Sequence, residues 1–436
     1  MKRIFHSIFS RTAAALTVLA MLPTMAQADV KIDEATFHDA NFRAYLLEQD
    51  YGQDGVLTDK EIRNIIVLNI SKRSIQSLKG IEHFTALEDL DCHGNQLTAL
   101  DLSANKALEE LVCYNNQLTA LDLSATKELE ELECYSNQLT ALDLSASTAL
   151  QRLWCDNNQL TALDVSANKE LEDLECSGNK LTALDVSANT ALEALDCNRN
   201  QLTRLDVSAN KALKSLGCFD NRLTALDVSA NKDLTDLFCD RNQLTALDVS
   251  ANKALHGLRC PNNQLTALDV SANKDLRWLN CSGNQLTALD VSANKDLTDL
   301  FCDRNQLIAL DLSANKALQE VYCYGNQLQG EGMDALIASL QKVLSSYLFV
   351  YFEDVDDENV CTKKNVADAR AKAWNVYGYY KSTGWRACEG AEPESVATVR
   401  SGEADGSLYD LDGRKLDGKP QQKGIYLKNG KKKVYK

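Results

Sequence analysis

The chain has 436 residues, enough for several domains or one extended array, and its 62 acidic against 46 basic residues leave a formal charge of −16. With no basic surplus to neutralise phosphates, a nucleic-acid partner is excluded. The five histidines fall singly or inside the leader, and none forms an H-E-x-x-H pair or a triad with a serine or thiol.

Residues 1–28 carry Lys2, Arg3 and Arg11, an apolar stretch around Ala13–Leu22, and then Ala26-Gln27-Ala28. This pattern predicts a cleaved secretory signal, and the apolar run is too short to anchor in a bilayer. Removing its three basic residues takes the charge from −16 to −19. No later segment is apolar enough to span a membrane, so the predicted location is secreted or at an outer-membrane cell surface. Residues 29–83 read as a helical N-terminal cap with a first irregular coil, in which Phe37, Phe42, Tyr45 and Leu46 supply a helical stripe. Within it, DYGQDGVLTDKE (50–61) matches a calcium loop at Asp50, Asp54, the turn glycine Gly55 and Glu61. It departs where Gly52 offers no side-chain oxygen and where Thr58 is a weak ligand. Calcium is thus the single cofactor the sequence offers; a turn that keeps the shape without the ion is the competing reading.

From 84 to 328 the chain repeats itself. Cysteines stand at 92, 113, 134, 155, 176, 197, 218, 239, 260, 281, 302 and 323, every interval being 21 residues, and an asparagine follows each by three, from Asn95 to Asn326. The unit L-x-x-L-x-C-x-x-N-x-L-x-x-L-D-[LV]-S has the period and apolar spacing of leucine-rich repeats. Leu111 and Cys113 alternate as a short strand requires, while Leu108, Leu118, Leu121 and Leu123 turn inward as the chain returns. One such coil cannot bury these side chains, so stacked neighbours complete the core. Asn116 lies where the chain leaves its strand, and its amide is placed to bond turn backbone of two coils.

An even number of cysteines in an exported protein suggests disulfides. Stacked strands lie about 4.8 Å apart, but parallel Cβ vectors suit the disulfide torsion poorly. The ladder Cys92, Cys113, Cys134, Cys155, Cys176, Cys197, Cys218, Cys239, Cys260, Cys281, Cys302 and Cys323 is therefore expected to be buried and reduced. A second column, from Asp101 and Asp122 to Asp311, is expected to accept N–H bonds from the S-A-N turn that follows each carboxylate.

Twelve registered copies of LxxLxCxxNxLTxLDLS, over more than half of the chain, resemble the cysteine-ladder leucine-rich repeats of internalin-J-like bacterial surface proteins. The resemblance implies a right-handed solenoid with a parallel sheet on its concave side, in secreted or cell-surface proteins used for adhesion.

The residues on either side of each cysteine differ most between copies. Alternation puts both columns on the outer, concave face of the strands. That face carries Tyr114, Tyr135, Trp154, Phe219, Phe238, Arg259, Trp278, Phe301, Tyr322 and Tyr324 as candidate ligand contacts, since exposed aromatics in a patch are typical anchors. The competing reading is drift, because aromatics favour strands anyway. Glu109, Glu110, Glu130, Glu131, Glu172 and Asp173 make the N-terminal end acidic. NKDLTDLFCDRNQL occurs at 231–244 and again at 294–307, a three-coil duplication.

Residues 329–389 read as an α+β C-terminal cap: a helix over Met333–Leu344, a strand over Tyr347–Phe352 and a helix over Thr362–Val376. Cys361 and Cys388 lie outside the ladder and are the predicted disulfide. Residues 390–406 read as a linker. In the tail, 407–436, Asp412-Gly413 and Asn429-Gly430 are hairpin signals. SLYDLDGRKL and KGIYLKNGKKKVYK resemble the C-terminal sorting signals of Bacteroidetes proteins exported by type IX secretion, which implies the secretion machinery as a partner; a plain β-appendage is the alternative.

No catalytic motif emerges, and the chain is predicted not to be an enzyme. The leading expectation is an adhesin-like surface protein engaging a protein or glycan on host or neighbouring bacterial cells. The alternative is a structural surface or biofilm-matrix protein, a rigid, self-associating spacer.

Overall fold

A computed structural model describes residues 29–342, 346–353 and 357–391, together with the backbone of four short strands between 408 and 435. The predicted signal, and the predicted linker beyond its first two residues, lie outside the described residues.

Sixteen strands form one sheet. It begins with β3 (Val67–Asn69) and runs through twelve three-residue strands, β4 (Asp89–Asp91) to β15 (Glu320–Tyr322). It then continues through β16 (Ser346–Phe352) and β17 (Trp374–Tyr380), all parallel, to β18 (Gly384–Ala387), which turns back antiparallel. The molecule is a leucine-rich repeat solenoid of about 12 coils at 21-residue spacing. Register is unbroken from β3 to β15, where Leu90, Leu111 and Leu132 are Cα partners in adjacent strands, as are Leu216, Leu237 and Leu258, and it shifts once between β16 and β17, at Phe349–Tyr351. The predicted inward set is the core, Leu108, Leu111, Cys113, Leu118, Leu121 and Leu123 being at most 6% exposed.

All twelve ladder cysteines are fully buried and free. Loss of hydration raises each thiol above its ordinary range, with neighbouring sulfurs and acids reinforcing the shift. We expect thiol reagents to leave these twelve unmodified in the folded chain and to label all of them once it is unfolded. Free labelling of the folded chain would place the sulfurs outside the core.

Polar columns hold successive coils together. Asn116 Nδ2 donates to the carbonyls of Cys92 and Cys113, both at 3.0 Å, while its Oδ1 accepts from Leu97 N at 3.0 Å. The same triple recurs in coil after coil, for instance at Asn200 and Asn242. A second asparagine column, for which the sequence suggested no role, lies at the S-A-N turn. There Asn189 Nδ2 donates to Val165 O (3.0 Å) and Asn168 O (2.7 Å) of the preceding coil. The aspartate column behaves as expected, Asp206 Oδ1 accepting from Ser208 N at 2.9 Å. The Asp206 carboxyl is held below the usual range by its bonds to Ser208. Two residues after every ladder cysteine the chain enters the left-handed region, from Gly94 (φ +66°) through Arg199 (φ +51°) to Gly325 (φ +64°). Eight of these twelve are not glycine. At Ser136, Arg199, Arg241 and Arg304, which are neither Gly, Asn nor Asp, the turn is imposed by stacking against a local preference.

Both ends close the core. At the N-terminus β1 (Val30–Lys31) pairs antiparallel with β2 (Val56–Leu57), and α1 (Ala40–Glu48) and α2 (Asp59–Asn64) cover the first coil. Phe37, Phe42 and Leu46 are fully buried and Tyr45 nearly so. The loop resembling a calcium site keeps its turn at Gly55 (φ +79°) by internal bonds. Glu61 caps α2, its Oε2 accepting from Thr58 N (2.8 Å) and Thr58 Oγ1 (2.7 Å). Asp54 Oδ1 accepts from Val56 N, and Asp50 Oδ1 from Gln53 Nε2. The three carboxylates do not converge, and no cluster of three metal-ligating side chains occurs among the described residues. As arranged, they do not fit calcium.

The C-terminal cap does not stand apart from the repeat. α3 (Glu331–Ser339) leads into β16, and α4 (Lys363–Ala371) into β17, so each is a longer coil extending the same sheet. The helix predicted over Thr362–Val376 ends at Ala371, because Trp374 and Val376 are drawn into the sheet as buried strand residues. Cys361 and Cys388 are both buried here and act on each other's ionisation. Their interaction holds the Cys388 thiol below its ordinary range and pushes that of Cys361 up. The predicted bridge is not formed in this structure; both sulfurs are free. In the tail, β19 (Leu408–Tyr409), β20 (Lys415–Leu416), β21 (Gly424–Lys428) and β22 (Lys431–Tyr435) form a separate antiparallel sheet in the order β20-β19-β21-β22.

Candidate functional site on the concave sheet

Three side chains per strand face the concavity, not two. The residue three before each cysteine projects beside those immediately before and after it. Asp89, Glu110, Glu131, Arg152 and Asp173 are successive Cα partners along this added row. Stacked carboxylates repel, and here only Arg152 intervenes, 3.1 Å from Glu131. Burial, reinforced by Glu131 and Asp89, raises Glu110 to about 6.

The candidate aromatics divide into groups with different surroundings. His93, Tyr114 and Tyr135 stack in sequence at centroid separations of 4.3 and 4.2 Å. At the other end Phe301, Tyr322, Phe349 and Tyr377 stack in sequence at 4.6, 4.0 and 5.4 Å. Tyr324, Phe352 and Tyr379 form a parallel row at 5.0 and 4.2 Å. Trp385, on β18, stands edge-on across both rows, 5.0 Å from Phe349 and 5.5 Å from Tyr324. Rings stacked in this way cover one another's faces, so these groups are packing devices of the sheet and present mainly edges. Trp154 is also committed, its Nε1 donating to Asp173 Oδ2 at 3.2 Å.

Phe219, Phe238, Arg259 and Trp278 are arranged differently. They line a shallow basin of about 550 Å³ with Asp196, Arg199, Asp236, His256 and Gly257. It spans β9 (Ala194–Asp196) to β13 (Trp278–Asn280), midway along the sheet. Gly257 lines it, and Gly217 lies beneath the side chain of Asn198, which also lines it. Gly217 interrupts the row between Asp196 and Phe238, and Gly257 the row between Asp236 and Trp278. A Cβ at Gly217 would meet Asn198 Nδ2 at 2.9 Å, and one at Gly257 would meet Asp236 Oδ1 at 2.8 Å. A larger residue at either position would therefore push a wall side chain aside and fill the space.

On one side the guanidiniums of Arg199 and Arg259 lie over the Phe219 ring, 5.6 and 5.9 Å from its centroid. Arg259 also lies 3.0 Å from Asp240, as a charge pair and not as an aligned hydrogen bond. No ring among the described residues stacks on Phe238. Burial raises Asp196 to about 6, its bond from Asn198 N opposing and Asp156 and Asp173 reinforcing the shift. Sequence reasoning named the rings but missed the basin. Its signal was two glycines at positions where other coils carry side chains.

Comparison with solved structures agrees with this architecture. The chain is 29% identical to the functional domain of InlJ from Listeria monocytogenes, which includes a cysteine ladder, over 76% of this chain and 84% of that one, with a TM-score of 0.53. An internalin, InlF, of the same organism aligns at 24% identity over 72% of this chain and 97% of its own, with a TM-score of 0.65. The LRIM1/APL1C complex aligns at 23% over 68% of this chain and 57% of that one, with a TM-score of 0.54. No protein-family model matches the chain, and no curated protein matches its sequence. No helix of the described residues is long and apolar enough to cross a membrane.

Proposed function

We propose that this leucine-rich repeat solenoid is an exported, surface-associated binding protein that engages a protein partner through the mid-sheet basin, in an adhesin-like role. The observation that carries the reading is the basin itself, where Phe238, Gly257 and Trp278 line an opening and no ring among the described residues stacks on Phe238, whereas Phe301, Tyr322 and Phe349 stack on one another. A leader-like N-terminus and a tail resembling a sorting signal support export. The likeness to a cysteine-ladder internalin supports a binding scaffold in place of an enzyme.

The test compares two double variants for binding to intact host and bacterial cells. Phe238→Ser with Trp278→Ser should abolish saturable binding. Phe301→Ser with Tyr322→Ser should cost stability but leave affinity within about threefold, because stacked rings are not the anchors. Equal retention by both variants would remove the basin from the interface and favour the spacer reading, with self-association then measured by sedimentation.

A further inference from the structure

We propose that the N-terminal part of the concave sheet, from β4 to β8 (Asp173–Glu175), docks the basic C-terminal hairpin of a second copy of this chain. This stretch lies N-terminal to the basin, and the proposal goes beyond the function proposed above without resting on it.

Three observations combine. First, the stretch carries a surplus of acid. At the three facing positions of its five strands stand eight carboxylates, Asp89, Glu110, Glu131 and Glu133 among them, against the single arginine Arg152. The same positions from β10 (Ser215–Gly217) to β14 (Asp299–Phe301) hold four carboxylates against Arg259. Arg152 does not offset its neighbours, because one guanidinium acts on Glu110, Glu131 and Asp173 together. Burial, with Glu131 and Asp89 beside it, still raises Glu110 to about 6. His93, the remaining basic side chain at these positions, lies 2.6 Å from Asp91.

Second, the matching cation is in the same chain. Residues 407–436 hold nine Lys and Arg against three Asp, although the whole chain carries −16. Four of the nine bracket one turn: Lys428 and Lys431 are Cα partners across Asn429-Gly430, and Lys432 and Lys433 follow. Third, the spacings agree. Lys431 and Lys433 stand two residues apart along β22, about 7 Å, as do Glu131 and Glu133 along β6 (Glu131–Glu133). Complementary charge of this kind steers and orients a partner. Reach favours a second copy over the chain's own tail. From β18 to β8 is ten strand spacings, about 48 Å. The 16 residues between Ala391 and Leu408 span about 55 Å only when fully extended. A second copy meets no such limit, and two copies satisfy both contacts in a closed pair.

Sedimentation of the full chain at about 50 mM and about 500 mM salt is the test. We expect a concentration-dependent dimer at the lower salt, weakened about tenfold or more at the higher, where exposed charges are screened. Lys431→Glu with Lys433→Glu should weaken it about tenfold or more, and so should Glu131→Lys with Glu133→Lys. All four changes together restore opposite charges and should return the affinity to within about threefold of the unaltered chain. Circular dichroism checks that each variant folds; should the Glu→Lys pair unfold, Glu131→Gln with Glu133→Gln takes its place and should weaken association in the same direction. Asp206→Lys with Asp227→Lys, on the exposed turn column, should change affinity less than about twofold. A monomer at every concentration overturns the proposal. So does a dimer indifferent to the tail reversal, or equal weakening by the turn-column pair, which marks a diffuse field. Compaction at low salt without concentration dependence overturns the second copy as the occupant and assigns the face to the chain's own tail.

Discussion

Replacing Asn200 with alanine should cost roughly 2–6 kcal/mol of stability: it orphans the buried Leu181 N at about 1–3 kcal/mol and removes two further hydrogen bonds at about 0.5–1.5 kcal/mol each, although Cys176 O and Cys197 O keep Asn179 Nδ2 and Asn221 Nδ2 as donors. Its Nδ2 donates to Cys176 O at 3.0 Å and Cys197 O at 3.1 Å, and its Oδ1 accepts from Leu181 N at 3.0 Å. Leu181, Leu202 and Cys197 around it are fully buried. Water therefore has little access as a substitute. Denaturant unfolding gives the loss, and amide exchange at Leu181 locates it. The neighbouring carboxylate Asp206 provides the comparison: it caps an exposed turn, and Asp206→Ala should shift the midpoint only slightly. A loss below about 1 kcal/mol for Asn200→Ala would show that the column registers coils without bearing their stability.

The second large effect concerns the C-terminal cap. A chain ending at Leu328 would uncover Leu318, Val321, Cys323 and Leu328, none more than 2% exposed in the intact fold. At about 1.5–3 kcal/mol for each apolar side chain, that forfeits on the order of 6–12 kcal/mol, comparable with the whole stability of a typical domain. We expect this chain to aggregate or to lose cooperative unfolding, whereas one ending at Ala391 keeps α3, β16, α4 and β17 and unfolds as the full chain does. A monomeric product with an unchanged midpoint would mean that the last coil tolerates water and the cap serves another purpose.

The contrast between these two cases shows what can be read in the sequence. Anything repeated every 21 residues was legible, since a position that recurs must meet the same physical demand each time. Cys113, Leu111 and Asn116 could be assigned to the core or to the turn from spacing alone. What depends on differences between coils was not. Phe238 and Phe301 lie in identical fourteen-residue segments, yet one ring borders the basin and the other is stacked at 4.6 Å. Their surroundings come from the next strand, Arg259 in one case and Tyr322 in the other. Local patterning carries no information about a neighbour 21 residues away unless the register is followed explicitly. The cap failed for a related reason. Trp374 and Val376 continue a helical spacing, but the open edge of β16 offers them a sheet, and tertiary pairing overrode local preference. In the loop at 50–61, Glu61 matches an ion ligand by position, and in this structure it caps a helix.

The asparagine columns tie each turn of the solenoid to its immediate neighbours, and the segment at 231–244 has been copied whole to 294–307. Gain or loss of complete turns thus leaves every surviving bond with an equivalent partner. The separation between the two capped ends changes by about 4.8 Å per turn, as in a telescope whose sections share one thread. Length in this protein is a variable that can be adjusted without redesigning either the eyepiece or the mount.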